Sequence, residues 1–228
     1  MQKDRCKYII MCSGNYLGWQ DLPKQMQMIG DERIVERTIR LLRENGVDDI
    51  AISSNLRIFK QYEKIGVQFI EVAKTHTLDK PYGKGYLSGH WLYGFVDTGG
   101  EVCYIFGDVV FSRSAIKTIV ETQTDDVEFF ASAPPFAKDY PVPWAEPFAF
   151  KVVNRQHFRE SITKALNFNG WHREPVSWEL WQVIKDTPYN HIDYTNYTAI
   201  NDYTCDVDTP QELADHYDRI IASIEADQ

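Results

Sequence analysis

The sequence predicts an α/β fold, a doubly wound and mostly parallel sheet, and two observations predict it. The first is a strand, loop, helix and strand in that order between Ile9 and Ser53, the βαβ unit from which parallel sheets are built. The second is the continued alternation of strand-like and helix-like segments as far as Ser132.

The unit opens on Tyr8-Ile9-Ile10-Met11-Cys12, an apolar run with the character of a buried strand. A loop over 13–24 follows. Next comes a long segment with helical spacing, in which Ile34, Val35, Ile39, Leu41 and Leu42 are the apolar positions. Gly46 suits the left-handed position just past its end. Ile50-Ala51-Ile52-Ser53 is the second strand. Residues 55–62 read as a loop and short helix, and 67–72 as a strand. A polar stretch over 74–84, broken by Pro81 and Gly83, leads into helical spacing over 85–95. Residues 101–106 form a third buried strand, 113–122 a helix and 127–132 another strand.

Beyond Ser132 the pattern is less regular. Pro134, Pro135, Pro141, Pro143 and Pro147 cluster around Trp144 and Glu146. Residues 148–153 read as a strand, 158–166 and 178–185 as helices, and 191–194 and 203–207 as short strands. A last helix is expected over 211–226, with Thr209 or Asp208 as its N-cap and Pro210 at its first position. No internal repeat, low-complexity tract or linker divides the chain, so one domain over 1–228 is expected.

Composition narrows the partners. A chain of 228 residues with 43% hydrophobic and 25% charged residues can bury a sizeable core. Its net charge of −9 disfavours nucleic acid and anionic membrane as partners. Cys6, Cys12, Cys103 and Cys205 are widely spaced, without the pairing of a structural zinc site. Asp4, Arg5 and Lys7 leave only a short apolar stretch near the start, so no signal peptide or membrane span is expected and the setting reads as cytoplasmic.

Open sheets of this kind bind ligands outside the carboxyl ends of their strands. The loop over 13–24 sits at such an end. Its Ser13 and Gly14, with Lys24, can wrap a phosphate with backbone N–H groups and a positive charge. Gly107-Asp108 follows the third strand and places a carboxylate at the same edge, with Gly107 leaving room for a substrate beside the backbone. The alternative for Asp108 is a turn aspartate ahead of the next helix. Asp206 and Asp208 are two apart in a strand-like stretch and share a face. The alternative for Asp208 is the N-cap already named.

The runs Pro23-Lys24-Gln25, Gly30-Asp31-Glu32-Arg33-Ile34-Val35-Glu36-Arg37 and Asn45-Gly46-Val47-Asp48-Asp49-Ile50 resemble the start of a nucleotidyltransferase. That family joins a nucleoside triphosphate to a phosphorylated sugar or alcohol and releases pyrophosphate. Asp206-Val207-Asp208-Thr209-Pro210-Gln211-Glu212-Leu213 resembles the family's closing motif, of the type D-x-D-T-P-E-D-L, and is the most specific match in the chain. The glycine loop departs from the family's G-x-G-x-x-R: Gly14 matches, Tyr16 stands at the second glycine, and no arginine lies between Cys6 and Arg33.

The resemblance implies a Rossmann-like sheet with a nucleotide-binding half, 1–132, and an acceptor-binding half, 133–228. It implies Mg2+ as cofactor, held by Asp108, Asp206 and Asp208, with Lys24 neutralising the transferred phosphoryl group. It further implies a nucleobase contact around Gly83 and Lys84. The substrates would be a nucleoside triphosphate, CTP or UTP favoured, and a small phosphorylated acceptor.

Trp144, Glu146, Lys151 and Glu179 fall in the acceptor half and are candidates to bind that acceptor. Lys151 would make a second phosphate contact. Trp171, Trp178, Trp181, Tyr194 and Tyr203 can stack on a sugar or cage an ammonium, or else belong to the core. His157, His172 and His191 have no ligand spacing and read as structural. Two other functions stay open: a glycosyltransferase of related fold that takes a nucleotide-sugar, and a non-catalytic nucleotide-binding relative.

Overall fold

Alternating side chains on the first apolar run require cover on both faces, and the structure supplies it. The computed structural model describes residues 6–12, 19, 22–72, 94–133, 145–167, 177–188 and 196–226. Strand β1, Lys7–Met11, turns Tyr8 and Ile10 into one core cluster and Ile9 and Met11 into another.

The first cluster gathers under helix α1, Ile34–Glu44, helix α2, Arg113–Glu121, and a 3-10 helix, Arg57–Ile65. The second lies under helix α3, Arg155–Leu166, and helix α4, Ser177–Ile184. The sheet is therefore covered on both sides, as a doubly wound fold requires.

The remaining strands are β2 (Met28–Ile29), β3 (Glu32–Arg33), β4 (Ile50–Ser54), β5 (Gln68–Glu71), β6 (Val102–Phe106), β7 (Val109–Val110), β8 (Val127–Ser132), β9 (Glu146–Val152), β10 (Thr198–Ala199) and β11 (Cys205–Asp206). Seven strands form the main sheet in the order β10-β8-β9-β6-β1-β4-β5. Pairings of β1 with β4 and β6, β4 with β5, and β8 with β10 are parallel. Only β9 runs the other way, between β6 and β8. The runs expected over 8–12, 50–53, 102–106 and 127–132 thus share one mostly parallel sheet.

Two small ribbons sit outside it. β2 and β3 make a hairpin where the sequence suggests the start of a long helix. Gly30 turns that hairpin with φ +65°. β7 pairs antiparallel with β11, joining the segment after β6 to the segment before the last helix, α5, Pro210–Ala226. Trp19, Ile29, Ile34, Val110, Cys205, Val207 and Ile220 pack together beneath α5.

Gly46 takes φ +78° after α1, as expected. The helix expected over 85–95 lies almost wholly outside the described residues, and the strand expected over 191–194 lies wholly outside them. Among the described residues no helix is long and apolar enough to cross a membrane.

Candidate active site

The carboxyl ends of β1 and β6 meet at one point. Gly107 N donates to Met11 O at 3.0 Å, so the turn after β6 is drawn over the end of β1. A Cβ on Gly107 would stand 2.6 Å from Met11 O and 2.7 Å from Cys12 Sγ. The missing side chain therefore makes room for β1. The expectation that it leaves space for a substrate is corrected.

The turn delivers Asp108 to the edge. The ribbon then brings a second acidic segment alongside. Asp206 pairs with Val109 across β11 and β7, and Val207 N donates to Asp108 O at 3.0 Å.

Lys24 closes the group. It opens a 3-10 turn, Lys24–Met26, in which Gln25 and Met26 are buried, so the backbone beneath it is fixed. Its Nζ pairs with Asp108 Oδ2 and lies 2.8 Å from Asp208 Oδ1. Burial works against the charged amine. The charges of Asp108 and Asp208, and the hydrogen bonds to them, outweigh it and raise the Lys24 pKa. Lys24 is therefore a fixed positive charge at neutral pH and no proton acceptor. Trp19, which no motif singled out, donates its Nε1 to Asp208 O at 3.1 Å and holds that backbone.

The cap alternatives for the two aspartates are settled by their neighbours. Ser112 is the N-cap of α2 and accepts from Ala115 N at 2.9 Å. Thr209 caps α5, its Oγ1 accepting from Glu212 N at 3.1 Å. Glu212 in turn accepts from Asp208 N at 2.9 Å. Both carboxylates are thereby left to face Lys24.

Two carboxylates within reach of one ammonium fit a hard divalent cation that completes its shell with phosphate oxygens and water. Among the described residues, however, no group of three or more His, Cys, Asp or Glu is arranged to hold a metal ion. Of the expected Asp108, Asp206 and Asp208, the first and the last meet at Lys24. Asp206 stands beside them on the ribbon, close to the Cys205 thiol. Burial foremost, and then the Asp206 charge, push that thiol up to about 12.

The acceptor candidates divide. Glu146 is buried at the start of β9, paired with Ser132 at the carboxyl edge of β8, and its charge reaches Cys205. It stands on the same side of the sheet as Lys24. Lys151 does not. It pairs with Cys103 and Glu128 toward the amino ends of β6 and β8. Its Nζ donates to the carbonyls of Ile119, Val120 and Thr122 at 3.2, 3.1 and 2.5 Å. It caps the end of α2 at the opposite edge of the sheet, and the expected phosphate contact is corrected.

Glu179 is buried in α4, which lies against α3 and β9. Trp181 is core: its ring centroid lies 5.4 Å from that of Phe129, and its Nε1 donates to Asn196 Oδ1 at 2.9 Å. Trp178 is buried in the same cluster. His157 pairs with Asp126 at 2.8 Å, a structural role as expected. Ser13, Gly14, Gly83, Lys84, Trp144, Trp171, His172, His191 and Tyr194 lie outside the described residues.

One network behind the site escaped the sequence reading. Asp202 Oδ2 accepts from Ser112 Oγ at 2.6 Å and from Ser114 Oγ at 2.8 Å, while its Oδ1 accepts from Thr204 N at 2.8 Å. Ser112 N donates to Thr204 Oγ1 at 3.1 Å. These bonds tie the segment that carries Asp108 to the segment that carries Asp206 and Asp208. The Asx turn Asp202-Tyr203-Thr204 was its only legible trace.

No family model matches the chain, and no curated protein does. Solved structures of low identity share its fold. The inositol-1-phosphate CTP transferase from T. maritima superposes with a TM-score of 0.60 at 16% identity, over 99% of this chain and 98% of that chain. A structure named for a glucose-1-phosphate thymidylyltransferase from Bacillus anthracis, in complex with a sucrose, gives a TM-score of 0.60 at 13% identity, over 96% and 95%. Rv0371c from Mycobacterium tuberculosis H37Rv gives 0.58 at 13% identity, over 97% and 100%. At these identities the likeness establishes the fold.

Proposed function

We propose that this chain transfers a nucleotidyl group from a nucleoside triphosphate to a small phosphorylated sugar or alcohol, with release of pyrophosphate and dependence on Mg2+. The observation that carries the reading is the convergence of Lys24, Asp108 and Asp208 at the carboxyl edge of a sheet with this fold. The names of the solved relatives, a CTP transferase and a thymidylyltransferase acting on sugar or inositol phosphates, point the same way.

In this reading an oxygen of the acceptor phosphate attacks the α-phosphorus in line. The bond from that phosphorus to the bridging oxygen breaks, and pyrophosphate leaves with the electron pair. The acceptor oxygen is already ionised, so no general base is needed, and Lys24 as a permanent cation could not be one. Its work is to orient and neutralise the phosphoryl oxygens. Asp108 and Asp208 would hold magnesium, which when bound supplies further neutralisation of the phosphate charge. The ribbon of β7 and β11 and the Trp19 bond keep the two aspartates in place. Among the described residues, Glu146 is the acceptor candidate that reaches the same edge, where a carboxylate suits hydroxyl groups.

CTP and UTP lead as donors, and inositol 1-phosphate and glucose 1-phosphate lead as acceptors. A cytoplasmic setting, where triphosphates are found, suits four free cysteines. The test is a matrix of nucleoside triphosphates against phosphorylated sugars and alcohols, with Mg2+, read by pyrophosphate release. Release that requires both substrates supports transfer. Turnover of a nucleotide-sugar with no pyrophosphate would assign the site to glycosyl transfer instead.

A further inference from the structure

The site carries its own counter-ion. Lys24 Nζ touches both carboxylates, and the side chain is 13% exposed. Its backbone is pinned by the buried Gln25 and Met26 on one side and Pro23 on the other. The ammonium can leave the carboxylates only by swinging its own side chain.

A divalent cation placed between Asp108 and Asp208 would lie within a few ångströms of that ammonium. With Lys24 in place the three groups sum to a single negative charge, against two without it. Like charges so close repel, and water at the 54% exposed Asp208 screens part of that repulsion. An arriving anion offers the ammonium an alternative partner, and a triphosphate is such an anion.

We infer that Lys24 is a resident counter-ion which competes with the divalent cation for Asp108 and Asp208. It excludes the metal from the empty site and yields when a triphosphate draws its ammonium away. This inference rests on the proposed nucleotidyl transfer for the identity of the anion, but the competition itself concerns only the three side chains. Its consequence has an unusual sign: removing a positive residue from a phosphate-binding edge strengthens metal binding while it weakens nucleotide binding.

The experiment is a titration of the full chain with Mn2+ alone, followed by electron paramagnetic resonance of the free ion. Lys24→Met should bind Mn2+ about tenfold more tightly than the wild type, a modest share of the repulsion removed. Adding Asp208→Asn to Lys24→Met should cancel the gain. Binding of CTP in EDTA should weaken in Lys24→Met. If that variant does not fold, Lys24→Gln replaces it with the same expectation.

Equal Mn2+ affinity in the wild type and the folded Lys24 variant overturns the inference, whatever the activity. Pyrophosphate release by the wild type is scored separately. Its absence beside tighter Mn2+ binding would retire nucleotidyl transfer and leave the counter-ion standing. Its presence beside unchanged Mn2+ binding would do the reverse.

Discussion

Replacing Lys151 with methionine separates a structural lysine from a substrate-binding one. The change keeps most of the aliphatic stem and removes the ammonium. Three carbonyls at the end of α2, those of Ile119, Val120 and Thr122, then lose their donor. Hydrogen bonds to a charged group are worth about 1.5–3 kcal/mol, and a cation at a partly buried helix carboxyl terminus up to about 2 kcal/mol. These contributions overlap, and methionine escapes the cost of burying a charge. A net loss of about 2 kcal/mol follows, which in a chain of this size lowers Tm by about 4–8 °C. Thermal unfolding followed by circular dichroism measures it. Below the transition, the KM of the phosphorylated acceptor should be unchanged. An unaltered Tm with a raised acceptor KM would refute the capping assignment and return Lys151 to the substrate.

Gly107→Ala should cost about 1–3 kcal/mol, because its Cβ would press on the Met11 carbonyl oxygen at 2.6 Å; an unchanged urea midpoint would show the turn to be loose. Asp202→Ala should lower kcat several-fold with little change in the KM of the triphosphate, since Asp202 positions the aspartate-bearing segments and is placed against Ser112, Ser114 and Thr204. Rescue of kcat by Asp202→Asn, which keeps the bond from Thr204 N, would support positioning; equal damage in both variants would count against it. Burial foremost pushes the Cys6 and Cys205 thiols up to about 12. Their folded pKa lies above the unfolded value of roughly 8.5, so the stability they contribute is full below that pH and is lost as pH rises toward about 12. Iodoacetamide at pH 8 should accordingly label the native chain more slowly than the chain in denaturant, and equal rates would contradict the burial of Cys205 and the partial burial of Cys6.

The sheet was legible because its strands are continuous apolar runs bounded by turn residues, and runs such as Ile9-Ile10-Met11 can only be buried on both faces. Strand order was not legible. Nothing in residues 146–152 says that this strand enters antiparallel between two parallel neighbours, and that direction decides which edge its side chains reach. Glu146 and Lys151 lie on one strand, and only the first arrives at the ligand edge. The hairpin of β2 and β3 was hidden because strands of two residues are too short to show an alternating pattern. Of the site, Lys24, Asp108 and Asp208 were legible from the ends of their segments and from the motif. That Asp208 is released from capping depends on Thr209 taking the cap, a choice the sequence left open. Trp19 acts through one long-range bond and Asp202 through two, to Ser112 and Ser114, and contacts between distant segments leave no periodic signal.

The central claim is that the edge formed by Lys24, Asp108 and Asp208 carries nucleotidyl transfer. The most direct measurement follows CTP labelled at its α-phosphorus, with Mg2+ and a phosphorylated inositol or sugar, in the wild type and in Asp108→Asn. The account predicts that label enters the acceptor product while the released pyrophosphate stays unlabelled. It also predicts that Asp108→Asn, folded to the same Tm within a few degrees, loses at least about a hundredfold in kcat. Label transfer at the wild-type rate in Asp108→Asn would contradict it.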